Sequence, residues 1–451
     1  KNFGFKGFLK SEIGLFLIAS YLILLFAFCF PLKFDWLRWV ADLFGPLKQF
    51  RILGRFTWIF FHVITVATII GLFKIYKNTN NNAFKWVFFA GIIFYAVEFY
   101  PVHKSTAHYI SLAENKFKTE NIELEMQGLI DELNKGDYDA ILFLPFQHMS
   151  SENLMLLGAE KANYDAFLLS YHTQLPLVNS ISSRMSLTEA ITVNNYFSPA
   201  FYEKELTYDF PEDANIALIK NRDLLKVSEL RMVWESELIY ENENFVLFDF
   251  DTKKWNSRQG FDKVVAAEKE ATITLRNDWK SDTATTWFIY QSYDTCNTQL
   301  PQEQRLGGSG AYKDYKSSWN TIYQLSPDQI PPGDYVIRYW YYLRVDRPDV
   351  LAIMEEQYGE DKPAEWIAQF DVKQSTVIIE DWCLVEMEFT VSSEMENINV
   401  LITGNGSKKP FLVDELMIQK QNDSPLFRRT THGETAYLIY NNYWIRSDSF
   451  K

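Results

Sequence analysis

The residues best suited to chemistry are aromatic and arginine side chains in the C-terminal half of the chain. Arg338, Trp340 and Tyr342 share one face of a predicted strand, since successive side chains of a strand point to opposite faces. One face of that strand is expected to be core, which leaves the other for a ligand. Aromatic rings stack on the C–H faces of sugars, so we expect this set to bind a glycan, with Trp287 and Trp319 as further candidates. The alternative is that Trp340 is core and that the domain only packs against a neighbour or a partner protein.

Residues with the chemistry of a hydrolase are sparse. His148 and His172 lie near the ends of predicted strands, where sites form in α/β sheets. Asp139, Asp165 and Arg184 lie in the same region. The sequence contains no nucleophile elbow and no phosphate-binding loop beside them. Hydrolysis is therefore the weakest of three functional hypotheses, and we predict no catalytic residue in this chain.

The sequence predicts no cofactor. Asp414 is a candidate ligand for a structural Ca²⁺ ion, but no other acidic residues cluster with it in the sequence. No two of the three cysteines lie at the spacing of metal ligands. The sequence alone does not decide whether Cys296 and Cys383 form a disulfide bond.

The charge is divided sharply along the chain. Residues 1–100 hold eleven Lys or Arg and four Asp or Glu, a net charge of +7, so the other 351 residues carry −21. Phosphate binding needs a basic face, and the later basic residues form no runs. The composition therefore excludes a nucleic-acid partner.

Three apolar segments predict membrane-spanning helices, at about 13–30, 56–73 and 84–100. The first two are 18 residues long without Asp, Glu, Lys or Arg, close to the ~20 residues that a span requires. The third is interrupted by Glu98, and its alternative interpretation is a helix lying in the interface. The loop 31–55 predicts an amphipathic helix on the outer surface. The distribution of Lys and Arg favours an N-terminus inside and a C-terminal part outside.

Two domains and a hairpin are predicted after the helices. Residues 101–255 alternate apolar runs with helical stretches, which predicts an α/β domain with a mainly parallel sheet. Residues 256–422 show short alternating segments between turn residues, which predicts an all-β sandwich. Residues 423–451 contain the turn pair Asn441-Asn442, which predicts a hairpin. The α/β strands are predicted at 139–145, 166–171, 215–220 and 246–250.

The segment 50–56, FRILGRF, resembles the entry to a late transmembrane helix in bacterial polytopic membrane proteins of the GT-C glycosyltransferase type. Leu144-Pro145 and the stretch 173–184 resemble motifs in the tails of such proteins, except that Ser180 and Ser183 replace two family glycines and Ile181 replaces the tyrosine. The resemblance implies that Arg51 and Arg55 face a lipid phosphate or the active-site cavity at the outer membrane surface. The simpler alternative is that both arginines reach lipid headgroups.

The sandwich region resembles carbohydrate-binding-module-like jelly-roll domains. The resemblance is carried by the order of three segments, Gly333 to Trp340, Trp382 to Phe389 and Val413 to Ile418. It implies a jelly-roll fold and a glycan partner, although a fold alone does not carry ligand specificity.

Together these resemblances imply the C-terminal part of a GT-C-like integral protein of the bacterial inner membrane. Such a protein would act in cell-envelope glycan assembly from a lipid-linked sugar, with soluble domains on the extracytoplasmic side. Its catalytic carboxylates would belong to an early outer loop that this chain does not contain. The alternative is a non-enzymatic scaffold, anchored in the lipid bilayer, which binds a glycan or a protein within a membrane complex.

Overall fold

The structure is a computed structural model that forms two compact units, Lys1–Asn115 and Lys116–Lys451. It describes residues 12–28, 30, 56–78, 82–112, 114–149, 154–158, 160–181, 185–211, 214–314, 319–343, 351–357, 364–403 and 410–450. Arg51, Arg55, the amphipathic loop 31–55 and Arg184 lie outside the described residues.

The described part of the first unit consists of helices α1 (Glu12–Ala27), α2 (Thr57–Asn78) and α3 (Asn82–Leu112). Helix α2 has 22 residues and a mean hydropathy of 2.0, so it is long and apolar enough to cross a membrane. Helix α1 is equally apolar in character but has only 16 residues. Helix α3 contains Pro101 and continues past the predicted boundary at residue 100. Among the described residues, the structure therefore supports one of the three predicted spans by length and composition.

The second unit begins with an α/β region. Its helices are α4 (Leu124–Lys135), α5 (Glu160–Thr173), α6 (Leu187–Asn195), α7 (Val227–Trp234), α8 (Thr252–Trp255) and α9 (Gln259–Glu270). Its strands are β1 (Ala140–Leu144), β2 (His148–Met149), β3 (Met155–Leu156), β4 (Ser180–Ile181), β5 (Ile216–Lys220), β6 (Glu237–Glu241) and β7 (Val246–Phe250). The main sheet has four strands in the order β1-β5-β7-β6, and strands β2, β3 and β4 form a separate small sheet.

Two predictions for this region were wrong. Within the main sheet only β1 and β5 pair in parallel, whereas β7 is antiparallel to both of its neighbours, so that sheet is not mainly parallel. The stretch 166–171, which was predicted as a strand, lies inside helix α5. Ala162, Ala166 and Leu169 are buried together there, at the helical spacing that places them on one face.

A β-sandwich follows, which confirms the predicted all-β region. The strands up to β14 are β8 (Ile273–Thr274), β9 (Lys280–Ser281), β10 (Phe288–Gln291), β11 (Tyr312–Asp314), β12 (Trp319–Leu325), β13 (Gly333–Tyr342) and β14 (Leu351–Gln357). The later strands of the sandwich are β15 (Glu365–Asp371), β16 (Ile378–Ile379), β17 (Trp382–Val391), β18 (Asn397–Thr403) and β19 (Phe411–Lys420). One sheet has the order β10-β19-β13-β17-β16, with β11 also paired to β19, and the other, second sheet has the order β12-β18-β14-β15.

The chain closes with strands β20 (Phe427–His432), β21 (Thr435–Tyr440) and β22 (Tyr443–Arg446). Together with β8 and β9 they form a five-stranded sheet of order β22-β21-β20-β9-β8. Asn441 and Asn442 connect β21 to β22 with φ angles of 48° and 70°. Two successive left-handed residues match the twist of a tight hairpin, and asparagine tolerates that conformation better than most residues.

Candidate functional site

The predicted binding set on β13 does not form a surface. Trp340 is fully buried, and its Nε1 donates a hydrogen bond to the carbonyl of Asn442 at 3.0 Å. Tyr342 is also buried, against Trp382 at a ring distance of 5.3 Å. The expectation that this face binds a sugar is corrected by this burial, because a stacking platform must be exposed.

Arg338 has an ion-pair role. Its Nε donates to the carboxylate of Glu386, which also accepts from the hydroxyl of Tyr443. The guanidinium lies 4.8 Å from the centre of the Tyr443 ring. Burial opposes the charge of Arg338, but Tyr443 and Glu386 outweigh it and raise the pKa of the guanidinium.

Both faces of β13 are covered, and this is why the predicted set is buried. Tyr335, Tyr339 and Tyr341 lie in the sandwich core on one face. The β21–β22 hairpin lies over the other face through Asn442 and Tyr443. The prediction from the sequence was that only one face of β13 would pack in the core.

Trp287 is half-buried at the edge of a groove of about 600 Å³. Its ring packs edge-on against Tyr335, with centroids 5.0 Å apart, and its backbone N–H donates to Asp423 at 3.0 Å. The groove is also lined by Arg276 and Tyr323. The ring of Trp287 is therefore partly used in packing.

Trp319 is the predicted candidate that is most exposed, with 42% of its surface accessible. Its ring contacts Trp366, which is 56% exposed, at a centroid distance of 5.6 Å and an angle of 60° between the ring planes. Trp319 begins β12 and Trp366 lies in β15, the two edge strands of the second sheet. We refer to the outward side of this sheet as the tryptophan face.

The strand register shows how the two rings meet. Trp319 pairs with Thr403, whereas Trp366 pairs with Glu355. Strands about 4.8 Å apart and a rise of about 3.3 Å per residue place the two Cα atoms roughly 19 Å apart on a flat sheet. The centroid distance of 5.6 Å therefore requires both that the indoles lean inward over the face and that the sheet departs from flat, as twisted sheets do.

The middle of the tryptophan face is apolar and covered. Ile353 pairs with Leu401 in the two central strands, and these side chains are 0% and 8% exposed. Their neighbours Ala352 and Ile402 belong to the core on the opposite side, so Ile353 and Leu401 point outward. The register places this pair between the positions of Trp319 and Trp366.

Polar side chains surround the rings. The paired positions place carboxylate, amide and hydroxyl groups on the same side of the sheet as the rings. They are Thr321, Gln324, Glu355, Gln369, Asp371, Asn399 and Thr403. The face thus offers stacking surfaces next to hydrogen-bond donors and acceptors, and its paired positions carry two carboxylates and no Lys or Arg.

The structure gives no support for a metal at Asp414. This buried carboxylate accepts hydrogen bonds from the backbone N–H groups of Leu306 and Gly307, at 2.8 and 3.1 Å, and of Glu415 at 2.9 Å. Burial and the neighbouring Glu415 raise its pKa well above the ordinary value. Among the described residues no three His, Cys, Asp or Glu side chains are grouped as metal ligands. Asp414 therefore holds the loop at residues 306–307.

The candidate hydrolytic residues also have structural roles. His148 is fully buried, with Nε2 3.1 Å from the sulfur of Met185. Asp139 accepts a hydrogen bond from the backbone of Asn215 at 2.9 Å. His172 and Asp165 line one cavity, but its volume of about 30 Å³ is suited to a single water.

Cys296 and Cys383 are both free thiols.

Comparison with known proteins leaves the family open. No family model matches the chain, and no curated protein matches it. A xylan-binding domain of carbohydrate-binding module family 22 is 14% identical over 32% of this chain and 88% of its own, with a TM-score of 0.22. The C-terminal family 22 module of Clostridium thermocellum Xyn10B is 13% identical over 33% of this chain and 90% of its own, also with a TM-score of 0.22.

The N-terminal CBM22–GH10 modules of the Clostridium thermocellum endo-1,4-β-D-xylanase 10B, in complex with xylohexaose, give a TM-score of 0.21 at 13% identity. This match covers 34% of this chain and 28% of the xylanase structure. TM-scores of this size carry no argument for fold or function. The β-sandwich rests on the strand pairing described above.

Proposed function

We propose that this chain is a membrane-anchored glycan-binding protein that holds sugar rings on the tryptophan face of its β-sandwich. The observation that carries the proposal is the pair of exposed, mutually contacting indoles of Trp319 and Trp366. Single exposed apolar side chains are common on protein surfaces, whereas two large exposed rings in mutual contact form the contiguous kind of patch that marks interaction sites. Sugars match the face because their C–H sides stack on rings and their hydroxyls bond to amides and carboxylates.

The charges on the face favour a neutral glycan. Glu355 and Asp371 lie on the same side of the sheet as the indoles, and both would repel a uronic acid or a phosphorylated sugar. Their carboxylates instead accept hydrogen bonds well from sugar hydroxyls. Asn399 and Gln369 add amide groups that donate as well as accept.

The resemblances in the sequence support a more specific proposal about the protein to which this chain belongs. The chain would be the C-terminal part of a GT-C-like protein of the bacterial inner membrane, anchored through α2 and its neighbours, with Lys116–Lys451 on the extracytoplasmic side. Protease treatment of spheroplasts tests the orientation. Digestion of residues 116–451 in intact spheroplasts is expected, and their full protection would refute it.

A glycan array probed with the full chain in nanodiscs tests the binding proposal. Trp319→Ala and Trp366→Ala should each weaken binding about tenfold, which is about 1.4 kcal/mol, because each removes one stacking surface. Trp234→Ala is the matched control, since Trp234 is 72% exposed but lies on α7, away from the tryptophan face. Retention of full binding by both sandwich variants would refute the assignment.

The alternative function is a scaffold whose tryptophan face contacts a protein. It would be favoured if the array showed no binding and if a pull-down from native membranes recovered a stoichiometric partner. Loss of that partner in Trp366→Ala would place the contact on the same face.

A further inference from the structure

The groove of about 600 Å³ beside Trp287 lies on an open side of the β-sandwich. Strand β10 is an edge strand of one sheet, and β12 is an edge strand of the second sheet. Residues 286–290 of the chain line the groove together with Tyr323 of β12. We call it the seam groove. None of its lining residues belongs to the tryptophan face.

The backbone of β10 is paired on one side only. Phe288–Gln291 pairs with β19, and within the described residues no other hydrogen bond is formed to its backbone. The peptide groups of a strand alternate in direction, so half of those in β10 point away from β19. Because Phe288, Ile289 and Tyr290 line the groove, these N–H and C=O groups are open to a further strand.

The other edge strands of the described sheets are shortened, irregular or covered. The pairings of β6, β12 and β15 each contain a register shift, which twists an edge away from a would-be partner. Strands β3, β4, β8 and β16 have two residues and β11 has three. The side chain of Asn179 bonds to both backbone groups of Phe143 on β1, at 2.7 and 2.8 Å. On β22 the carbonyl of Trp444 accepts from the hydroxyl of Tyr202 at 3.0 Å.

Strand β10 has none of these protections. Its pairing with β19 is continuous over four residues, and no charged residue occurs from Thr283 to Tyr293. The run 285–290, TTWFIY, consists of β-branched and aromatic residues, which favour strands. An uncharged, regular edge of this kind is the template on which an extended segment of another chain adds a strand.

Arg276 gives the seam groove its charge, since it is the one charged side chain among the described residues that line it. Its guanidinium lies 4.6 Å from the centre of the Phe288 ring, beside the edge strand. It takes part in no ion pair among the described residues. Burial raises the pKa of Tyr323, and the charge of Arg276 opposes that rise, so the cation acts across the groove. Water solvates an exposed arginine well, so this charge selects among ligands rather than requiring one.

The open edge and the cation together indicate what kind of segment fits. A second copy of this chain that paired through its own β10 would bring the uncharged run 283–293 and no counter-charge for Arg276. An extended peptide with an acidic side chain satisfies both features, because its main chain pairs with β10 and its carboxylate bonds to the guanidinium.

We propose that the seam groove binds an extended acidic peptide segment of another protein, which adds a strand to β10 and places a carboxylate beside Arg276. Apolar side chains at alternate positions of that segment would pack on Trp287, Ile289 and Tyr323, which are half-buried. The ligand is a protein segment rather than a sugar, and the site lies apart from the tryptophan face. This proposal and the glycan proposal can therefore fail separately.

Hydrogen exchange of the full chain in nanodiscs, measured by mass spectrometry, tests the main-chain pairing. Three hexapeptides with acetylated and amidated ends, TVEVTV, TVQVTV and TVKVTV, differ only in the charge of the third residue. We expect TVEVTV to slow exchange saturably at residues 288–291. A form of TVEVTV that is N-methylated at both central residues has lost a donor on each edge and should have no effect.

A charge reversal locates the carboxylate. The wild type should bind TVEVTV about threefold more tightly than TVKVTV, as expected for an exposed ion pair, with TVQVTV between them. Arg276→Glu should reverse this order. Lys253→Glu, which makes the same change of charge at an exposed position on α8, should keep the order of the wild type.

Three results would overturn the proposal. They are no saturable protection of residues 288–291 by TVEVTV, equal protection by its N-methylated form, and an unchanged order of affinity in Arg276→Glu. Protection that rises with protein concentration in the absence of peptide would also overturn it, because the edge would then pair with a second copy of this chain.

Discussion

Replacing Asp165 with asparagine should stabilise this protein, and the gain should depend on pH. Asp165 lies on α5 with 5% of its surface exposed, and its Oδ2 has no hydrogen-bond partner among the described residues. Burial raises the pKa of this carboxyl from 3.8 to about 6, although Lys161 opposes the rise. The carboxylate is therefore a charge that folding must desolvate.

The size of the effect follows from that change in pKa. A difference of about 2 pKa units corresponds to about 3 kcal/mol between the two protonation states. The asparagine side chain would have no charge, but its buried amide would still lack a partner, which costs about 1 kcal/mol. The variant should therefore raise the free energy of unfolding by about 2 kcal/mol at neutral pH.

The sign of the pH dependence is fixed by linkage. The folded state binds this proton more tightly than the unfolded state, so the wild type loses stability as pH rises from about 4 to about 6. The advantage of Asp165→Asn should grow over that interval and stay constant above it. Urea unfolding followed by tryptophan fluorescence measures both variants at each pH.

A matched control is Asp137→Asn, which removes an exposed carboxylate near the end of α4. It should change stability by less than about 0.5 kcal/mol at either pH. If Asp165→Asn were no more stable than the wild type at neutral pH, or if its advantage were the same at both ends of the range, the reasoning from desolvation would be refuted.

Two further predictions concern the buried face of β13 and the ion pair beside it. Trp340→Ala should lower the free energy of unfolding by about 3–5 kcal/mol, since the indole is 0% exposed. Trp234→Ala on the surface should change the free energy of unfolding little. Urea unfolding of both variants measures the two changes. Arg428→Met should cost about 3–5 kcal/mol, because it leaves the buried carboxylate of Glu415 without the guanidinium that now lies 2.7 Å away. Adding Glu415→Gln to Arg428→Met should recover much of that loss in the same assay, and a double variant as unstable as the single one would contradict a charge-based cost.

Local patterns predicted the elements whose signals lie within a few residues. The buried strand at β1, the long strand β13 and the turn pair Asn441-Asn442 all occur where the sequence indicated them. Each is defined by alternation, an apolar run or left-handed backbone, and these depend on neighbouring residues. The reversed direction of β7 depends on strand pairing between distant segments, which no local pattern encodes.

The sequence pattern does not indicate strands β12, β14 and β15 of the second sheet individually, and there is a physical reason for this. Its strand β14 places Glu356 at an inward position, where the side chain is 1% exposed and accepts a hydrogen bond from Ser392 at 3.0 Å. A carboxylate at a core position breaks the expected alternation. Register shifts at Thr321/Tyr323 and at Met354/Glu355 break it further where each edge strand pairs with its neighbour. Trp366 therefore escaped prediction together with its strand.

Exposure, rather than residue type, separates the tryptophans of the proposed binding face from those that pack in the core. The sequence favoured Trp340 over Trp319 as a candidate, yet Trp340 is 0% exposed while Trp319 is 42% exposed. The difference arises because the β21–β22 hairpin, about 100 residues further along the chain, covers one side of β13 through Asn442. Nothing in the described residues covers the rings at the edges of the second sheet in the same way. Which face of an aromatic-rich sandwich can bind a ligand therefore depends on which faces the rest of the chain leaves open, and this is why the proposed binding face is the one carrying Trp319 and Trp366.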